Sequence, residues 1–151
     1  MEISFLPLCS ERGFCLPRKT DANNPADWIW LAKADLEMIR LAADQQVSFT
    51  ACRSKLAEVV EKTMKAELIR LGWALERTHD LERLLDELVA HRSDVVPSLE
   101  GLCDSLADAY FSDRYPGFDL DDADWPLLNQ QVELVANVLT IIDGRIAGLS
   151  S

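Results

Sequence analysis

From Pro25 onward, apolar side chains return every three or four positions, and no segment alternates with the period of two that a half-buried strand requires. Such a chain folds as rods packed along apolar stripes. Trp28, Leu31, Ala32, Ile39 and Ala42 predict a helix from Pro25 to about Asp44, opened by Asn24 as N-cap with proline in its first position. Residues 45–48 break the pattern. Cys52, Leu56, Val60, Met64 and Leu68 then share one face of a second helix over about 49–71, which Gly72 stops. Leu81, Leu84, Leu85 and Leu88 mark a shorter third helix, capped by Thr78, with Asp80 and Glu82 at its positive end and His91 in its last turn. Leu99, Leu102, Cys103 and Leu106 mark a fourth, capped by Ser93 or Asp94, with Pro97 in its first turn. Residues 111–124 read as a loop around Pro116-Gly117. Leu128, Val132, Val135, Leu139, Ile142 and Ile146 line a last helix from about Asp124. Four or five helices with short connections predict an all-α, antiparallel up-and-down bundle over 25–151. Residues 1–24 lack that period and read as an irregular N-terminal arm, with Phe5 and Leu6 as anchors for packing across a dimer.

Composition narrows the function classes. A chain of 151 residues is long enough to bury one sizeable core. With 26 acidic against 15 basic side chains, the net charge of -11 repels phosphate backbones and argues against extensive nucleic-acid binding. No apolar run approaches the roughly 20 residues that span a bilayer, and the apolar stretch 3–8 has no basic leader, so the expectation is a soluble, cytoplasmic protein. Cys9, Cys15, Cys52 and Cys103 match no Cys-x-x-Cys pattern, which suits a reducing compartment. The aspartates of 119–124 lack the spacing of a calcium loop, because Ala123 stands where a ligand is wanted. No metal or cofactor is expected.

Side chains with chemical potential gather at three places. On the second helix, Glu58 with Lys62 and Glu61 with Lys65 form i,i+4 pairs with the acid first. The plain reading is a solvated face, each pair contributing about 0.2–0.5 kcal/mol. The functional reading sets Lys62 or Lys65 against a phosphate. Thr78-His79-Asp80-Leu81 puts a histidine just inside a helix start, where the positive dipole end favours neutral imidazole. That ring is suited to act as a base or, more economically, to bond a neighbouring helix. In Arg114-Tyr115-Pro116-Gly117 the proline stiffens the backbone under an arginine and an aromatic ring. Arg114 has aspartates around it as partners (Asp104, Asp108, Asp113, Asp119, Asp121, Asp122, Asp124), with a bidentate phosphate contact as the functional rival.

Taken in order, a tryptophan-rich opening helix with Ala34-Asp35-Leu36, then Val60-Glu61-Lys62-Thr63-Met64-Lys65-Ala66, Thr78-His79-Asp80-Leu81 and Arg114-Tyr115-Pro116, resemble the HEPN domain from about Pro25 to Ile146. The resemblance implies a five-helix bundle that associates as a homodimer. It also implies nucleotide binding, a minimal nucleotidyltransferase as partner, and for some members a toxin–antitoxin setting. Glu61, Lys62, Lys65, His79, Asp80, Arg114 and Tyr115 are the candidate ligand residues. Catalytic members of that family are metal-independent ribonucleases carrying Arg, four to six residues, then His. Here eight residues separate Arg70 from His79, seven separate Arg83 from His91, and no His follows Arg114. The leading expectation is therefore a non-catalytic HEPN-like module. The alternatives are a ribonuclease toxin in which folding brings His79 to Arg114, and an orphan helical scaffold without a ligand.

Overall fold

Residues 19–149 are described in a computed structural model and form, in order, α1 (Pro25–Asp44), α2 (Phe49–Arg70), α3 (Leu81–Ala90), α4 (Val96–Leu106), α5 (Ala109–Ser112) and α6 (Trp125–Leu149). No strand occurs among the described residues, so the all-α bundle stands as the periodicity predicts. The expectations for residues 1–18, Phe5 and Leu6 included, lie outside the described part.

The opening of α1 follows the sequence signal. Asn24 holds an extended backbone, its side chain accepts from the Ala26 amide, and Pro25 follows without a lost donor. The 20-residue α1 is about 30 Å long by its rise per residue. It packs most extensively on α2, and a four-residue link joins them, so the two must run antiparallel.

Helix α2 is the axis of the molecule and packs against α1, α3, α4, α5 and α6. Its burial therefore extends round the rod instead of along one stripe. Cys52, Leu56, Val60, Met64 and Leu68 are buried as expected, and Val59, Ala66, Glu61, Lys65 and Glu67 are buried too. The solvated charged face expected on this helix is corrected here: five neighbours leave α2 no broad wet side. It ends in a Schellman motif. Gly72 has φ +96, its amide donates to the Ile69 carbonyl at 3.0 Å, and the Trp73 amide donates to Leu68 at 2.9 Å. Gln46 after α1 and Arg92 after α3 occupy the same left-handed position without being glycine.

Three local expectations are corrected. The N-cap of α3 is Asp80, whose Oδ1 accepts from the amides of Glu82 and Arg83 at 3.1 and 3.2 Å, while Thr78 lies outside and accepts from the Asp80 amide. Neither Ser93 nor Asp94 caps α4; its N-cap is Val95, with no side-chain bond. The loop begins later than expected, because Phe111 and Ser112 complete the short α5. Asp124 does open α6, accepting from the Leu127 amide at 3.0 Å. No helix among the described residues is long and apolar enough to cross a membrane.

Candidate functional site

Glu61 and Lys65 lie one turn apart on α2, and Lys65 Nζ donates to Glu61 Oε2 at 2.9 Å. Both residues are nearly dry, at 6 % and 4 % exposure. Removing two ions from water costs several kcal/mol each, so the pair persists only where further groups satisfy both charges. Here they do. His79 Nδ1 is 2.8 Å from Glu61 Oε1, and the Lys65 ammonium stands 5.2 Å from the centre of the Trp28 ring. Against an ionised Glu61 the imidazole donates through Nδ1, leaving Nε2 without a partner among the described residues. The Trp28 ring is fixed by its own N–H, which donates to the Ala22 carbonyl at 2.8 Å.

A second layer extends from His79. Its ring stacks on Tyr110 with centroids 4.5 Å apart and planes 14° from parallel. The Arg114 guanidinium carbon lies 4.2 Å from the centre of the same tyrosine ring. Arg114 donates to Glu58 Oε1 at 2.6 Å, and Lys55 Nζ is 2.7 Å from Glu58 Oε2. Burial pushes the Glu58 carboxyl up, but hydrogen bonds and charge from Lys55 and Arg114 outweigh it and hold the group below its ordinary range. The Glu58 hydrogen bond raises Arg114 further above the usual guanidinium value. Tyr110 arrives on α5, which Arg53 clamps: its guanidinium donates to the Asp113 carboxylate at 3.1 and 3.2 Å and to the Ser105 carbonyl at 2.8 Å.

Between α1, α2 and the segment leading to α3 lies a recess of about 300 Å³, walled by Trp28, Glu61, Lys65, Leu75, Arg77 and His79. The site thus combines an aromatic wall, an oriented imidazole and cationic groups, a set able to hold a small anionic aromatic molecule.

A family model described as the HEPN domain matches residues 26–141. The chain belongs to the HEPN domain family. Comparison with curated proteins and with solved structures finds no match.

In this HEPN domain the seven sequence candidates separate into groups. Glu61, Lys65 and His79 converge on the recess. Arg114 joins them only through Tyr110, and its ionic partner is Glu58 of α2, in place of the aspartates the sequence offered. Tyr115 is 51 % exposed beside it. Lys62 turns away to Asp35 of α1, and so makes no i,i+4 pair with Glu58. Asp80 is occupied as a helix cap, which places His79 before the helix and not inside it. Sequence reasoning missed Arg77, Tyr110 and the ring role of Trp28. Trp28 counted as core because it falls on the apolar stripe. Tyr110 and Arg77 carry no local signal, since only folding brings α5 and the segment before α3 to α2.

A separate buried ionic cluster lies further along α2. The fully buried Glu67 carboxylate accepts from Arg70 Nε at 3.1 Å and from Arg145 of α6 at 3.3 Å. Arg145 also donates to Asp94 at 2.8 Å. Every group there has a protein partner, so the cluster ties elements together and presents no vacancy to a ligand.

Proposed function

We propose that this HEPN-family chain is a non-catalytic binding module that takes a nucleotide in the recess between Trp28, Lys65 and His79. It acts as a homodimer and pairs with a minimal nucleotidyltransferase-type protein in a toxin–antitoxin-type setting. The observation that carries the nucleotide reading is the convergence of Glu61, Lys65 and His79 on a recess beside an indole ring. Aromatic faces accept nucleobases by stacking and fixed cationic groups accept phosphate, and a pocket of this size lies at the small end of ligand sites, which run from roughly 300 Å³ upward. Family membership supports the partner and the dimer. Titration with nucleotides, followed by tryptophan fluorescence and calorimetry, is expected to show saturable binding that His79→Ala weakens. An absence of binding at millimolar nucleotide overturns the reading.

A second reading has one observation in its favour. His79 and Arg114 both pack on Tyr110, and Glu61 orients the imidazole as a carboxylate orients a general base. A metal-independent ribonuclease would need folding to bring the arginine and the histidine together, and Tyr110 is a ring that both touch. RNA cleavage in the presence of a chelator, lost in His79→Ala, would establish it. The proposed binding role expects no cleavage and no growth arrest on expression.

A further inference from the structure

We infer that the recess is built for a nucleoside monophosphate, with Arg77 as the phosphate-binding side chain, and that it discriminates against longer phosphate chains. This rests on the nucleotide reading of the same recess and names its substrate class.

Two cations near the recess are already committed to carboxylates. Lys65 lies against Glu61 in a dry pair, so its charge is largely cancelled before a ligand arrives. Arg83 forms two hydrogen bonds, at 2.9 and 2.8 Å, to the carboxylate of Glu76. Arg77 differs from both. It is exposed, it lines the recess, and among the described residues it makes no hydrogen bond or ion pair. A long cationic side chain at the mouth of a pocket, with its planar fork of donors unpaired among the described residues, suits one phosphate group bound bidentately. The neighbouring Thr78 hydroxyl accepts from the Asp80 amide and keeps its own hydrogen to donate.

Charge then limits the ligand. A phosphate monoester carries about −1.5 to −2 at neutral pH, which one exposed guanidinium offsets in large part, with the Thr78 hydroxyl as a further donor. A triphosphate carries about twice that charge. One exposed guanidinium leaves most of that charge unmatched, in a chain whose net charge is already -11.

The test is calorimetry and tryptophan fluorescence on the full chain with AMP, ADP and ATP, without metal and at low salt. AMP is expected to bind at least tenfold more tightly than ATP, with ADP between them, and to weaken as salt rises. Arg77→Ala is expected to raise the AMP dissociation constant tenfold or more while leaving the melting temperature unchanged, because the side chain is exposed and has no partner among the described residues. Arg77→Lys should recover only part of the loss, since it restores charge without the fork. ATP binding as tightly as AMP, or AMP binding that ignores Arg77→Ala, overturns this inference and leaves the nucleotide site standing. Failure of all three nucleotides to bind removes the site itself.

Discussion

Lys65 and Glu61 matter to the bundle less for the attraction between them than for what each does to the other's burial. Lys65→Met leaves an anion under the α1–α2 packing with only His79 to answer it, and a broken buried pair typically costs about 3–5 kcal/mol. Replacing both partners, as Lys65→Met with Glu61→Leu, removes the orphaned charge and is expected to recover most of that loss in chemical denaturation. Recovery no better than the single variant would mean that the pair holds the fold by geometry. The i,i+4 pair was legible in the sequence. Its burial was not, because a window along one helix does not reveal how many neighbours surround it. Cys103 is a second residue governed by its surroundings. Burial, reinforced by the negative charge of Glu82, pushes its thiol from 9.0 up to about 12. Alkylation at pH 8.5, mapped by mass spectrometry, should spare Cys103 until the chain unfolds. Ionisation is harder in the folded state than in the unfolded one. The thiol's contribution to stability is therefore intact below pH 9.0 and declines from there toward about 12.

Helix ends show where local chemistry sufficed and where it did not. The glycine stop of α2 and the Asn24-Pro25 start of α1 are read from two residues each, because capping acts over a single turn. The start of α4 eluded the same logic: Ser93 and Asp94 are good caps, yet Asp94 is drawn to Arg145 of α6 and the helix begins at Val96 without one. The short α5 escaped because one turn has no period to detect, and it exists through the Arg53 clamp. Left-handed backbone gives this scale its prediction. Gly72→Ala places a side chain at φ +96 and should cost about 1–2 kcal/mol. Arg92→Gly, at φ +55, relieves the same strain and should stabilise by up to about 1 kcal/mol in thermal melts. A gain from Gly72→Ala would show that its conformation is not required.

For the whole molecule, the bundle was legible because its apolar period is sustained through five long segments, whereas the recess was not, because three separate elements build it. The outer surface of α6 carries Leu127, Leu134 and Ile141, each between 39 and 48 % exposed and seven residues apart. Seven-residue spacing returns to one side of a helix, so the three form a single apolar seam. If the proposed homodimer closes on this seam, Leu134→Asp should shift sedimentation toward monomer without lowering the helical content measured by circular dichroism. A dimer unaffected by that substitution would place the contact elsewhere. One long-range pairing also bears on biosynthesis. Glu67 is synthesised well before Arg145, and until α6 leaves the ribosome its carboxylate has only Arg70 to accompany it into the interior. The nascent chain should thus defer final closure around α2 until α6 has emerged, and chains cut short before Arg145 should be the ones that proteases and chaperones retain.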